Sequence, residues 1–327
     1  MFNQTVAIND QLLTADGTYS FDLPTNPLSI ILVALRPLND TGTLANFNSY
    51  RNIAAALDRI SVLYRGESVV GMRGEDAAAL AYFRHGIMPF QGMHLDTDDF
   101  RRCVVLPIFL GRGPYDPSSC FPKTKRGDLT LEISADIADT GYDGLRISAE
   151  CIELLDAKPK EYEKKVQVTQ TFSATGDVDV QLPLGGPCRG LLLFGTTPFT
   201  GATPAPSWGR VRTVIDNKEI GYAATDFEVA QMMHTLWGRQ PPMYDAHIHR
   251  VTTDGNAQTA LATNGGPISV GTGFHQYAWL DFDPTQDDAH TIDTKGKDFR
   301  IRANAETADA VRVVPIEVIP ANSIRAD

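Results

Sequence analysis

One short pattern occurs twice in this chain, at residues 58–80 and again at residues 209–233. Each copy alternates apolar and polar residues, breaks at a turn, resumes as a second apolar stretch and then places acidic residues ahead of a helix-forming run. A period of two is typical of a strand with one buried face, and acidic residues stabilise a helix N-terminus. The sequence therefore predicts two copies of a strand, a tight turn, a second strand and a short helix.

The two turns carry residues suited to a two-residue hairpin. The first turn is predicted at Arg65-Gly66-Glu67 and the second at Asp216-Asn217. Glycine and asparagine tolerate the positive φ angles that such turns require. The helices are expected to begin near Gly74 and Ala224, directly after the second strand of each hairpin.

The strand patterns around the two hairpins also recur in the same order, at a spacing of about 150 to 170 residues. Self-similarity of this length indicates two tandem copies of one domain, and 327 residues exceed the size of a typical single core. We expect a first domain at residues 1–156 and a second at 166–327. The linker at 157–165 is rich in lysine and glutamate, which predicts that it is solvated.

Each half contains about eight strand patterns and one helix, with two long connections. If the strands are lettered B to I, the long connections are D–E, at 37–56 and 197–208, and F–G, at 73–100 and 223–274. This arrangement is typical of a jelly roll. We therefore predict an all-β protein made of two tandem eight-stranded jelly-roll β-sandwiches, each with a short helix after its F strand.

Two prolines fall inside predicted strands. Pro107 lies in the G strand of the first half, and Pro315 lies in the I strand of the second half. Proline cannot donate a ladder hydrogen bond, so it is confined to edge strands and bulges. Strand G is an edge of its four-stranded sheet, which suits Pro107. Strand I is interior, so a bulge is expected at Pro315.

Composition excludes several classes of protein. The formal net charge of −11 argues against a nucleic-acid binder that works by neutralising phosphates, and we expect no sequence-specific nucleic-acid partner. The longest apolar runs are too short to span a bilayer, and the first ten residues lack the pattern of a signal peptide. The cysteines show no CxxC spacing, which predicts buried free thiols in a reducing compartment: Cys103, Cys120, Cys151 and Cys188.

The first half also carries a resemblance to a known family. Leu57–Leu80, above all Val62-Leu63-Tyr64-Arg65-Gly66 followed by Gly74-Glu75-Asp76, resembles the double jelly-roll major capsid proteins of tailless, membrane-containing bacterial viruses. Within that group the likeness is to corticovirus-type coat proteins. Arg102–Phe109 and Asp128–Leu154 follow in the same order.

This resemblance implies a structural major capsid protein and not an enzyme, since the family offers no catalytic motif to carry over. It implies pseudo-hexameric homotrimers that tile an icosahedral shell over an internal membrane. The implied partners are neighbouring capsomers, vertex (penton) proteins, minor capsid proteins and the internal lipid membrane. The implied location is the virion, after assembly in the host cytoplasm.

An alternative reading is a two-domain, cupin-like metalloenzyme. His247 and His249 form an HxH pair, which can ligate a metal ion. Cupins follow such a pair with a glutamate a few residues later, and residues 250–254 contain none. A loop or interface role is therefore favoured for this pair.

An acidic stretch near the end of the second half suggests a cation site. Hard oxygen ligands suit Ca²⁺, so Asp281, Asp283 and Asp287 are candidate ligands for a structural Ca²⁺, the one cofactor considered. The stretch, which also contains Asp288, lacks the glycine and the terminal glutamate of an EF-hand loop. A solvated loop is the favoured interpretation.

The basic clusters Arg101-Arg102 and Lys123-Thr124-Lys125-Arg126 could face lipid head groups or an acidic neighbour, although a solvated turn is the default. A carbohydrate-binding β-sandwich is a further alternative. Its exposed aromatic candidates, Trp208, Trp237 and Tyr244, are scattered along the chain. The long polar segment 235–274 is expected to pack, with the 37–56 loop, on a neighbouring subunit at the outer end of a trimer.

Overall fold

A computed structural model describes residues 1–39, 50–87, 89–92, 103–137, 142–195, 207–233, 250–251, 257–258, 274 and 276–324. The chain divides into two compact units. Unit 1 comprises Met1–Val166 together with Ile316–Asp327, and unit 2 comprises Gln167–Pro315. Unit 1 therefore takes its last segment from the far end of the chain.

Within the described residues, unit 1 contains ten complete strands, two α-helices and a final segment, Ile316–Asp327, from the other end of the chain. The strands are β1 (Phe2–Leu13), β2 (Gly17–Asp22), β3 (Leu28–Asn39), β4 (Leu57–Tyr64), β5 (Glu67–Met72), β6 (Phe90–Gly92), β7 (Cys103–Phe109), β8 (Leu129–Ala135), β9 (Tyr142–Leu154) and β10 (Glu161–Val166). The helices are α1 (Tyr50–Ala55) and α2 (Gly74–His85).

Two sheets of unit 1 follow jelly-roll order. One sheet runs β1-β9-β3-β7-β6, and the other contains β10-β5-β4-β8-β2. With β1 to β5 lettered B to F and β7 to β9 lettered G to I, these sheets are BIDG and CHEF. Along β8, buried side chains alternate with half-buried ones, as expected of a strand with one face on the core.

Unit 2 repeats this order and has one described helix, α3 (Phe227–Met233). Its strands are β11 (Val168–Phe172), β12 (Gly176–Gln181), β13 (Pro187–Gly195), β14 (Trp208–Ile215), β15 (Lys218–Glu219), β16 (Thr225–Asp226), β17 (Arg250–Val251), β18 (Ala257–Gln258), β19 (Tyr277–Asp281), β20 (Ile292–Asp293), β21 (Phe299–Ala305) and β22 (Asp309–Pro320), which enters unit 1 at Ile316.

In unit 2 the strands lettered B to I are β11, β12, β13, β14, β15, β19, β21 and β22. β22 pairs with β11 and neighbours β13, which pairs with β19, while β21 lies between β12 and β14. These are again BIDG and CHEF sheets. The predicted fold, two tandem jelly rolls each with a helix after its F strand, is confirmed.

The two hairpin turns form as predicted. Arg65 and Gly66 have φ angles of 48° and 84°, and Asp216 and Asn217 have φ angles of 47° and 66°. Two successive positive φ angles give the turn a twist that matches the flanking strands. The same local chemistry therefore closes the E–F hairpin in both units.

The helix starts agree with prediction in unit 1 only. α2 begins at Gly74, with Glu75 and Asp76 in its first turn. α3 begins at Phe227 and not near Ala224, so that prediction is wrong by three residues. The reason is that Ala224 has a positive φ of 66° and the next two residues pair as β16 with β14 before the helix can start.

Both strand prolines occupy positions where a missing donor is tolerated. Pro107 pairs with Leu32 of β3, and the short β6 covers β7 only at residues 103–105, so Pro107 lies on an open edge of the described sheet. At Pro315 the expected bulge is absent from the pairing with β10 and β11. Val313 pairs with Val168 and Glu317 with Lys164, so the register is the same on both sides of the proline. Pro315 itself is not paired with either strand.

The segment 157–165 is not a solvated linker throughout, and that prediction of solvation is wrong. Its second part belongs to β10, which pairs in parallel with β5 and antiparallel with the last residues of β22. The side chains of Glu163 and Lys165 are 0% and 2% exposed. The charge of Glu163 and Lys165 led to the prediction that they face solvent. The residues that bury them are distant in the sequence and could not be identified from it.

The core of unit 2 is one apolar cluster built from both of its sheets. In unit 2, Phe172, Trp208 and Phe299 are almost fully buried in one cluster. All four cysteines are free, as predicted, and three of them are buried: Cys120, Cys151 and Cys188.

Candidate functional site

The acidic stretch proposed as a cation site forms a loop between β19 and β20 that closes around an arginine. Arg189 of β13 is 1% exposed, and its Nε lies 2.8 Å from Asp288 Oδ1 and 3.6 Å from Asp283 Oδ2. Its Nη2 donates a second hydrogen bond to Asp288, at 3.0 Å. The guanidinium therefore supplies positive charge inside the loop.

The other acidic oxygens of this loop bind the loop's own polar groups. The backbone N–H of Asp283 donates to Asp281 Oδ1 at 2.9 Å, and that of Asp288 donates to Asp283 Oδ1 at 2.8 Å. Asp287 accepts from the hydroxyl of Thr285 and from the backbone of Ala289, and the Thr285 hydrogen bond leads in lowering its pKa.

The candidate Ca²⁺ ligands are therefore close in sequence but point to different partners. Among the described residues there is no group of three or more His, Cys, Asp or Glu side chains arranged to hold a metal ion. The assignment of Asp281, Asp283 and Asp287 to Ca²⁺ stays a prediction. The arginine was not anticipated, because it lies 99 residues from Asp288 in the sequence.

A second ionic cluster, which the sequence did not reveal, lies inside unit 1. Arg84 of α2 donates from both terminal nitrogens to the two carboxylate oxygens of Glu163 on β10. Lys165 Nζ lies 2.9 Å from Glu163 Oε2 and donates to the carbonyl of Phe109 at 2.5 Å. All three charged side chains are at least nine-tenths buried.

Such a cluster fixes geometry more than it adds net stability. Desolvation of buried charges costs roughly as much as their pairing returns, but an uncompensated buried charge is strongly destabilising. Glu163 therefore determines where β10 lies against α2 and the end of β7. We call Arg84, Glu163 and Lys165 the ionic cluster of unit 1.

Several other residues proposed from the sequence fall outside the described part of the chain: Arg101, Arg102, Trp237, Tyr244, His247 and His249. Trp208 is described and is fully buried, with its indole N–H donating to the carbonyl of Phe194 at 2.9 Å. Its proposed role as an exposed aromatic for carbohydrate binding is therefore wrong.

The second basic cluster lies at one end of unit 1. This end, which we call the turn end, holds the C–D, E–F and G–H connections together with the start of β1 and the segment after β9: residues 1–2, 23–27, 65–66, 110–128 and 155–160. Lys123, Lys125 and Arg126 are exposed there, whereas Thr124 is buried and its N–H donates to the carbonyl of Thr25 at 2.8 Å. In the described part of the chain, no helix has the length and apolar character needed to cross a membrane.

The comparisons with known proteins identify the fold. No family model and no curated protein sequence matches this chain. Among solved structures it is similar to the major capsid protein P2 from Bacteriophage PM2, at 11% identity and a TM-score of 0.63, covering 98% of this chain and 99% of that one. It is also similar to the STIV major capsid protein, at 12% identity and a TM-score of 0.67, covering 100% of both chains.

The Faustovirus major capsid protein matches as well, at 8% identity and a TM-score of 0.56, covering 98% of this chain and 90% of that one. At such low identity the likeness concerns the fold. The chain has the double jelly-roll fold of these major capsid proteins over its full length, which confirms the resemblance found in the sequence.

Proposed function

We propose that this chain is a structural major capsid protein. The observation that carries the proposal is the end-to-end correspondence of both jelly rolls, in order and in length, with major capsid proteins of three different viruses. A fold can host many functions. Here, however, the matched feature is a specific duplication, and the structural neighbours that share it are shell components.

Duplication of a jelly roll suits a shell for a geometric reason. A homotrimer of a two-unit chain presents six similar units, although only three-fold symmetry is exact. One polypeptide can then make nearly six-fold contacts. We propose that this chain forms such pseudo-hexameric homotrimers and that they tile an icosahedral shell with neighbouring capsomers.

The finer parts of the proposal follow from the resemblance. They are a shell built over an internal membrane, contacts with vertex (penton) and minor capsid proteins, a place in the virion and assembly in the host cytoplasm. We propose no catalytic residue and no resident cofactor. A structural Ca²⁺ at the acidic loop is a separate proposal, tested by calcium titration of the purified protein.

Size-exclusion chromatography with light scattering tests the shell role. We expect a stable species of about three times 35.7 kDa, and electron micrographs of that species should show a hexagonal outline. A monomer that retains stoichiometric zinc or iron, or one that binds defined glycans, would instead support the metalloenzyme or the carbohydrate-binding alternative.

A further inference from the structure

Exposed apolar side chains of unit 1 gather at its turn end. The exposed large hydrophobic residues in the described part of unit 1 are Met1, Phe2, Val6, Ile87, Tyr115 and Leu155. All except Val6 and Ile87 lie at the turn end. Phe2 and Tyr115 are 57% and 49% exposed, and their rings meet edge to face with centroids 5.2 Å apart.

Backbone hydrogen bonds bring the remaining parts of this surface together. The N–H of Leu155 donates to the carbonyl of Met1 at 3.0 Å, which sets Leu155 beside the start of β1. The N–H of Lys160 donates to the carbonyl of Ser118 at 2.8 Å, which ties the segment after β9 to the G–H connection. The apolar tips therefore stand on an ordered part of the fold.

Exposed cations occupy the same end. Lys123, Lys125 and Arg126 in the G–H connection and Lys158 and Lys160 after β9 are all exposed. Two of the three acidic residues at this end have cationic partners: Asp128 with Arg65 at 3.0 Å, and Asp156 with the amino group of Met1 at 3.5 Å. The turn end is therefore locally basic in a chain whose net charge is −11.

The equivalent connection of unit 2 has the opposite charge balance. The G–H connection of unit 1, residues 110–128, carries four lysines and arginines against two aspartates. That of unit 2, residues 282–298, carries two lysines against five aspartates. The fold alone does not require a basic connection, so the basic character belongs to unit 1 specifically.

From this combination we infer that the turn end of unit 1 docks on the surface of an anionic lipid bilayer. Exposed aromatic and aliphatic tips enter the boundary between head groups and acyl chains, while lysine and arginine attract anionic head groups. Nucleic acid would account for the cations but leaves the apolar cluster unexplained. The inference rests on the proposed function for its setting, a shell over a membrane, and names the surface that makes the contact.

Vesicle flotation of the purified full-length protein tests the inference. We expect binding to vesicles of equimolar phosphatidylglycerol and phosphatidylcholine, and none to vesicles of phosphatidylcholine alone. The triple variant K123Q/K125Q/R126Q should lose at least about tenfold in apparent affinity, since each cation near an anionic surface contributes severalfold. The variant F2S/Y115S should weaken binding at high salt, where the apolar part of the contact remains.

A matched control changes the same charge at the opposite end of unit 1. The variant R59Q/R73Q/R146Q removes three cations near the start of β4, the end of β5 and the start of β9, and it should bind vesicles like the wild type. Equal losses in both triple variants would show that only net charge matters and would overturn the inference. The inference would also be overturned if the wild-type protein did not bind anionic vesicles. It would be overturned as well if the protein bound duplex DNA, seen as a gel-mobility shift, through the same lysines.

The experiments distinguish failure of the lipid-binding inference from failure of the proposed shell function. A protein that forms trimers but does not float with anionic vesicles refutes the lipid contact and leaves the shell role standing. A protein that floats but remains monomeric refutes the trimer and leaves the lipid contact standing.

Discussion

The two units share one strand order but protect the F strand of the CHEF sheet differently. In unit 1 the F strand is six residues long, and β10 pairs with its outer side at Val70 and Gly71. In unit 2 the F strand, β15, is two residues long and ends its sheet among the described residues. An unpaired strand edge is a site for unwanted pairing, and both a covering strand and a very short edge strand avoid it. In unit 1 the strand that covers this edge is β10, and its charged side chains Glu163 and Lys165 are buried.

The D and G strands show a second difference, in packing. Two residues before the end of strand G, unit 1 has Pro107 and unit 2 has Trp279. Opposite the last residue of strand G, unit 1 has Ile30 and unit 2 has Gly190. A Cβ atom on Gly190 would lie only 2.2 Å from Trp279 Cζ2. Unit 1 thus combines a large residue on strand D with a smaller one on strand G. Unit 2 has the small residue on strand D and the large one on strand G.

Loss of the Glu163 carboxylate should produce the largest effect and should weaken unit 1 selectively. In Glu163→Ala, Arg84 and Lys165 remain buried without their shared partner, which should cost about 3–5 kcal/mol. Urea unfolding of unit 1 can be followed by thiol labelling of Cys151, since burial raises the pKa of that thiol to about 12 and keeps it unreactive until the unit opens. Unit 2 can be followed by fluorescence, because all three tryptophans lie within residues 167–315.

Glu67→Ala provides the control, since Glu67 is an exposed acid on the strand that β10 covers. It should leave both transitions unchanged. If Glu163→Ala also leaves the Cys151 labelling midpoint unchanged, the ionic cluster does not hold β10 in place and the contrast between the units loses its energetic basis.

A methyl group at Gly190 should destabilise unit 2 by an intermediate amount. In Gly190→Ala the new Cβ overlaps the Trp279 ring, and overpacking of this kind costs about 1–3 kcal/mol. The tryptophan fluorescence midpoint in urea should fall while Cys151 labelling stays unchanged. The double variant with Trp279→Leu should recover part of the loss, and no recovery would mean that the nearby carbonyl of Leu280 sets the limit.

The smallest expected difference between the units is in how much folding stability each loses at low pH. Hydrogen bonds from Arg302, from Thr285 and from the backbone of Lys295 are the leading causes that lower the pKa of Asp179, Asp287 and Asp293 in unit 2. In unit 1 a hydrogen bond from Arg65 does the same for Asp128.

A depressed folded-state pKa contributes stability above the ordinary value of 3.8 that is lost as the pH falls through the folded value. Melting curves between pH 5 and pH 2 should therefore show unit 2, followed by tryptophan fluorescence, losing more stability than unit 1, followed by hydrogen exchange of the backbone amides of β8 and β9. Asp179→Asn should reduce that difference. Equal losses in both units would contradict the assignment of these aspartates.

Local chemistry explains how much of the fold the sequence predicted. The hairpin turns depend on neighbouring residues such as Arg65-Gly66, and the α2 start depends on the acidic residues that follow Gly74, so both were readable. β10 was missed because its charges indicated solvent, whereas its burial depends on Arg84, 79 residues away. The acidic loop was located correctly, but its partner Arg189 lies on another strand and left no local signal.

Unit 1 is built from two separate segments of the chain, and this determines the order in which the units can be completed during synthesis. The strand that completes pairing with β10 comes from residues 317–320, whereas unit 2 is one continuous stretch that ends at Pro315. As the ribosome makes the chain, unit 2 can fold while unit 1 still lacks its last partner, so the first half synthesised is the last to be finished. A chain interrupted before residue 316 would therefore present a complete stretch for unit 2 but an incomplete unit 1.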